Sequence, residues 1–178
     1  MSKIAVVYWS GTGNTEAMAN KVLGGAKAAG AEVELFSADQ FSGSMMDKFD
    51  AIAFGCPAMG DEVLEETEFE PMFNDCEPAL KGKHIGLFGS YGWGDGQWMR
   101  NWEDTCRDDG AVLVADSVIC TDAPDSDAEA ACEELGKVLA LGSTYCLMIY
   151  IKPPCFILVL KKRYKFIAKE DKEDKSET

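Results

Sequence analysis

Apolar residues first come as an unbroken run, Ile4-Ala5-Val6-Val7-Tyr8, and then at helical spacing, with Met18, Val22, Leu23 and Ala26 between Glu16 and Ala29. The first pattern predicts a strand buried on both faces and the second an amphipathic helix. Gly30 then supplies a helix C-terminal glycine, and Glu32-Val33-Glu34-Leu35-Phe36 alternates like a half-exposed strand. Ala51-Ile52-Ala53-Phe54-Gly55 and Ile85-Gly86-Leu87-Phe88-Gly89 predict a third and fourth strand, and Val112 to Ala115 with Val118-Ile119 a fifth. Helical patterns fall near Ser44 to Lys48, from Met72 to Leu80 with an interruption at Pro78, from Gln97 to Arg107, and from Asp125 through Ala131, Leu135 and Val138. Gly24-Gly25 conflicts locally with the first helix, at a cost of about 1 kcal/mol per glycine relative to alanine.

Strands alternating with helices imply a parallel sheet covered on both faces and joined by right-handed crossovers. Five strands in residues 1–140 favour an α/β flavodoxin-like three-layer sandwich with strand order 2-1-3-4-5. The ligand site of such a sheet lies at the carboxyl ends of its strands, so the loops after strands one, three and four should carry unusual chemistry.

The loop after the first strand is Ser10-Gly11-Thr12-Gly13-Asn14-Thr15. A strand-to-helix turn of this kind points unpaired backbone N–H groups at one spot, where the helix dipole favours an anion. Ser10, Thr12 and Thr15 add hydroxyls, and no Lys or Arg occurs from Trp9 to Asn20. A P-loop would need a Lys, and a dinucleotide fingerprint would need a small residue where Glu16 stands, so both fit poorly. On this stretch alone, a plain turn capping a helix is an equal alternative. After strand three comes Cys56-Pro57-Ala58-Met59-Gly60-Asp61-Glu62, and after strand four Ser90-Tyr91-Gly92-Trp93-Gly94-Asp95-Gly96. Glycine at every other position around two aromatics is not what a packed core needs. Met59 and Trp93 can flank a flat ligand on its two faces.

Charge sharpens the reading. Residues 1–140 carry nine Lys/Arg and 26 Asp/Glu, or −17, whereas residues 141–178 carry eight and five, or +3. An acidic body repels nucleic acid and anionic membranes and steers the protein toward basic partners. The seven cysteines form no C-x-x-C pair and His84 is the sole histidine, so reduced thiols in the cytoplasm are expected, with no metal site. Met1-Ser2-Lys3 leads directly into the first strand, and no signal peptide is expected.

Residues 3–140 resemble a flavodoxin, of the short-chain kind found in anaerobic bacteria. The resemblance rests on Tyr8 to Glu16, Ala58 to Glu62 and Phe88 to Gly96. It implies an FMN-binding, low-potential one-electron carrier that substitutes for ferredoxin between redox enzymes. It further implies that Ser10, Gly11, Thr12, Gly13, Asn14 and Thr15 bind the FMN phosphate, and that Met59 and Trp93 sandwich the isoalloxazine ring. Glu62 accepts a hydrogen bond from flavin N3–H on this reading, and the Gly60-Asp61 backbone meets N5. Pro57, Ala58, Ser90, Tyr91, Gly92 and Gly94 complete the pocket.

The alternatives are an FMN-dependent quinone or NAD(P)H reductase and a phosphate-responsive signalling module of the same fold. A receiver-type module would want a phosphorylatable Asp after strand three, where Gly55-Cys56-Pro57 stands. The expected carrier is monomeric and cytoplasmic, with basic-surfaced redox enzymes as partners. Residues 141–178 depart from the family pattern and are expected to be a weakly structured extension. Its apolar run, Tyr145 to Leu160, is broken by Lys152-Pro153-Pro154 and is too short to span a bilayer, which needs about 20 apolar residues; interfacial contact through the extension is the one membrane role left open.

Overall fold

The structure, a computed structural model, describes residues 1–149, with side chains through Gly142. The chain divides into two units at Thr144/Tyr145, and the sheet belongs to the first. Strand β1 (Lys3–Tyr8) leads through the glycine turn into helix α1 (Asn14–Ala28), and β2 (Glu32–Ser37) follows. Two short 3-10 helices, Ala38–Gln40 and Gly43–Lys48, precede β3 (Ala51–Gly55). Helix α2 (Phe69–Cys76), β4 (His84–Tyr91), α3 (Gln97–Asp108), β5 (Val112–Leu113), β6 (Val118–Thr121) and α4 (Ser126–Ile149) complete the order.

The sheet is parallel, in the order β2-β1-β3-β4-β5, with β6 also paired to β4. The expected fifth strand is therefore two pieces. Val112 and Leu113 pair with His84 and Ile85, while Val118 to Thr121 pair with Phe88 to Tyr91. Asp116-Ser117 falls in the gap, and Ser117 Oγ donates to Glu103 Oε1 on α3 instead of continuing the ladder. Among the described residues the sheet has six strands, and its edge is broken where Ser117 finds its partner off the sheet.

Alternation along β1 sends Ala5 and Val7 to one face and Ile4 and Val6 to the other, so both faces become core. One core packs Phe54, Phe69, Phe73, Trp98 and Trp102 beneath α2 and α3. The other packs Met18, Val22, Phe88, Leu135 and Leu139 beneath α1 and α4. Each such fully buried side chain contributes about 1.5–3 kcal/mol.

Gly24-Gly25 does lie inside α1. The conflict resolves in packing, because a Cβ on Gly25 would sit 1.9 Å from the Glu133 carbonyl oxygen and one on Gly136 would sit 2.0 Å from that of Val22. Helices α1 and α4 meet backbone to backbone there. Asp125 immediately precedes α4 and caps it, accepting the N–H groups of Asp127 and Ala128 at 3.1 and 2.9 Å. The Met72 to Leu80 helix begins earlier, at Phe69, and gives way at Glu77 to a 3-10 turn through Pro78. Among the described residues no helix is long and apolar enough to cross a membrane. Most of the extension, from Tyr150 on, lies outside the described residues.

Candidate functional site

Because β1, β3, β4 and β6 run parallel, their carboxyl ends deliver four loops to one edge of the sheet. The first loop ends at Gly13, which precedes α1 with a φ of 89° and no side-chain cap on the helix. The donors of the first helical turn are thus left facing outward, with the positive end of the dipole behind them. Gly13 N–H donates to Ser10 Oγ at 3.0 Å, which folds the turn on itself. Buried Thr15 places its hydroxyl 3.3 Å from that of buried Ser90, tying the turn to β4.

A cleft of about 350 Å³ opens against this turn, lined by Gly11, Thr12, Asn14, Pro57, Ala58, Met59, Ser90, Tyr91 and Gly92. Nine of the expected site residues therefore share one cavity. Ser10, Gly13 and Thr15 sit within the turn behind it. Trp9 and Asp122 also line the cleft and were not expected. The signal for both is positional, since each follows a parallel strand at its carboxyl end. Asp122 has a φ of 55° and donates its N–H to the Tyr91 carbonyl at 2.8 Å, so its loop is held against β4.

The remaining expected residues lie beside the cleft. Gly60 and Asp61 form the tip of a tight turn in which Met59 and Val63 exchange backbone hydrogen bonds of 2.9 and 3.0 Å. Glu62, at φ 55°, turns its carboxylate toward the start of α3. Its Oε1 accepts N–H bonds from Asp95, Gly96 and Gln97 at 3.1, 2.9 and 3.1 Å, making it the cap of a helix more than thirty residues downstream. A Cβ on Gly94 would come within 2.4 Å of the same oxygen, so the two loops touch through this carboxylate. Trp93, on the loop after β4, is 64% exposed and Met59, in the cleft lining, is 37% exposed, which leaves two large apolar side chains in water. A flat ligand covering them would remove that exposure.

Comparison with known proteins follows the same outline. The flavodoxin family model matches residues 6–136. The chain belongs to the flavodoxin family. The flavodoxin of Megasphaera elsdenii is 47% identical over 137 residues, which is 77% of this chain and 98% of that one. The flavodoxin of Clostridium beijerinckii is 44% identical over 135 residues, covering 76% and 97%. The solution structure of two-electron reduced Megasphaera elsdenii flavodoxin matches with a TM-score of 0.71 at 48% identity, over 77% of this chain and 98% of that chain. A flavodoxin from the domain Archaea matches with a TM-score of 0.71 at 26% identity, over 80% and 99%.

As a flavodoxin the protein is an FMN-binding electron carrier and not an enzyme, and its partners are redox enzymes. The cleft fits that cofactor on its own terms. An uncapped helix start with hydroxyls around it suits a terminal phosphate held by neutral donors. Met59, Tyr91 and Trp9 offer apolar surface for a ring. When bound, FMN supplies the electron-storing chemistry; the chain supplies binding, orientation and electrostatics.

Proposed function

We propose that this flavodoxin is a low-potential one-electron carrier that takes the place of ferredoxin between cytoplasmic redox enzymes, working as a monomer. Ser10 to Thr15 cradle the FMN phosphate, Met59 and Trp93 cover the two faces of the ring, Gly60-Asp61 meets N5, and Glu62 accepts from N3–H while capping α3. Pro57, Ala58, Ser90, Tyr91, Gly92 and Gly94 close the pocket. The observation that carries this reading is the uncapped start of α1 opening into the cleft that Met59 and Tyr91 also line.

A low potential follows from charge. Asp61, Glu62 and Asp122 belong to the loops around the cleft, and Arg100, at the start of α3, is occupied by the Asp95 carboxylate at 2.7 Å. A carboxylate about 10 Å from the ring opposes each added electron by about 1–2 kcal/mol at an effective dielectric near 20.

If neutral donors hold the phosphate, Thr12→Ala and Thr15→Ala should each weaken FMN about tenfold while leaving riboflavin, which lacks the phosphate, nearly unchanged. Titration of both ligands into apoprotein, followed by flavin fluorescence, checks this. Equal weakening of the two would remove the cradle assignment.

Residues 1–140, at −17, favour a basic-surfaced partner. Electron transfer to such a partner should slow steeply as ionic strength rises, because exposed charges are screened beyond about 10 Å at 0.1 M salt. Stopped-flow rates at 20 and 300 mM salt test the point, and indifference to salt would end the steering role. The family match ends at residue 136, and the electron-carrying unit is assigned to residues 1–140, with 141–178 as an extension outside it.

A further inference from the structure

We infer that Glu65 is a positioning residue for the flavin ring, anchoring both the Met59–Glu62 turn and the Trp9 side chain from behind the cleft. The inference rests on the FMN reading above. It begins with the neck of the loop. Cys56, fully buried, is clamped to β4 by its N–H on the Phe88 carbonyl at 3.1 Å, and the Trp98 indole N–H reaches its carbonyl at 3.4 Å. Its Sγ accepts the Glu65 backbone N–H at 3.3 Å. Residues 56 and 65 thereby close a ten-residue loop at its base, and Met59, Gly60, Asp61 and Glu62 form its far end.

The Glu65 side chain then fixes the second foot of that loop. It is 5% exposed and forms no ion pair among the described residues. Oε2 accepts the N–H groups of Glu68 and Phe69 at 2.8 and 2.9 Å, and Oε1 accepts the Thr67 N–H at 2.9 Å and the Thr67 hydroxyl. Burial pushes the carboxyl up, but the Thr67 hydroxyl and the three backbone donors outweigh it and hold Glu65 below the usual carboxylate range. Phe69, the first residue of α2, is fully buried and packs edge-on against Trp102. The carboxylate is thus pinned to the start of a helix packed into the core.

The same segment reaches the opposite wall. Glu68, whose N–H bonds Glu65, uses its own Oε2 to accept the Trp9 indole N–H at 3.0 Å. A Cβ on Gly11 would meet the Trp9 ring at 2.9 Å, so the phosphate turn leans on that ring. Through three bonds, Glu65 connects the turn expected at N5 to the wall beside the phosphate cradle. An amide cannot replace it, since the NH2 of a glutamine would face N–H donors where an oxygen is required.

The test uses full-length Glu65→Gln and Glu65→Asp, with Glu66→Gln on the exposed neighbour as control. In apoprotein, hydrogen exchange at the Met59 and Val63 amides should quicken at least about tenfold in Glu65→Gln, with Ala5 and Val6 in β1 unchanged. Glu65→Asp should recover part of the protection, and Glu66→Gln should match the wild type. In FMN-loaded protein, the gap between the two one-electron potentials should narrow in Glu65→Gln. Unchanged protection at Met59 and Val63, or protection lost equally in β1, overturns the inference, as does an unchanged potential gap. Should Glu65→Gln fail to fold, Glu65→Asp carries the same comparison. Failure of wild-type protein to bind FMN would instead strike the functional reading and leave the exchange result standing.

Discussion

Alanine at Gly25 is expected to destabilise the protein, and alanine at the adjacent Gly24 to stabilise it. Both positions lie within α1, and in a helix interior alanine is favoured over glycine by up to about 1 kcal/mol. At Gly24 nothing lies within 4 Å of the added methyl, so that gain should appear undiminished. At Gly25 the methyl would be 1.9 Å from the Glu133 carbonyl oxygen, 2.6 Å from its carbon and 2.8 Å from its Cα. All three are backbone atoms of α4, which cannot swing away as a side-chain tip can. The helices must separate, and the Met18, Val22, Leu135 and Leu139 packing beside the contact must open with them. Overpacking of this kind costs about 1–3 kcal/mol, which exceeds the propensity gain. With the propensity gain subtracted the net loss is up to about 2 kcal/mol, so calorimetry should show a fall in Tm of up to about 8 °C for Gly25→Ala and a small rise for Gly24→Ala. A rise for both would mean that α1 and α4 are not in backbone contact.

That pair also marks where the sequence is legible and where it is not. The Ile4 to Tyr8, Ala51 to Gly55 and Ile85 to Gly89 runs read as buried strands because burial on both faces leaves no polar alternation to confuse them. Gly30 reads as a helix stop, and it adopts a φ of 88°. Gly25 and Gly136, by contrast, each make room for the backbone of the other helix, at Glu133 and at Val22 and Ala26, far away in sequence, so each looks like an error until the helices are packed. The break between β5 and β6 is similar, since Ser117 leaves the ladder for a partner on α3 that no local pattern announces. In the site, the glycine and hydroxyl turn was legible because its chemistry is local. Glu62 as the cap of α3 and Asp122 as a wall of the cleft were not, since both roles depend on loops from different strands meeting at one edge. Nor does a carboxylate such as Glu65 declare itself, because its value lies in which N–H groups the fold brings around it.

Replacing Gly60 by alanine should impair the response of the protein to its first electron while leaving FMN bound. Gly60 has a φ of 48°, and a Cβ there would meet nothing within 4 Å, so the substitution changes backbone freedom and almost nothing else. The residue sits at the head of the turn closed by the Met59 and Val63 backbone bonds, which lets the 60–61 peptide rotate without unzipping its base. Bound FMN would supply at N5 a group that can accept or donate a hydrogen bond according to its reduction level, and the hypothesis is that the Gly60 carbonyl would turn to accept from it. Rotating the peptide over swings ψ of Gly60 by about half a turn while φ stays positive. For a residue with a Cβ, positive φ is tolerated only in a small patch of ψ, so two orientations half a turn apart cannot both lie inside it. Glycine is open to both. Alanine would pay about 1–3 kcal/mol in one of them, which shifts the balance between orientations at least about fivefold. In an anaerobic reductive titration, Gly60→Ala should lower the fraction of flavin held at the one-electron level and draw the two potentials together, with the affinity for oxidised FMN within about threefold of wild type. An unchanged one-electron fraction would show that the 60–61 peptide keeps one orientation throughout, and the acceptor for N5–H would have to be sought on another loop at the same edge of the sheet.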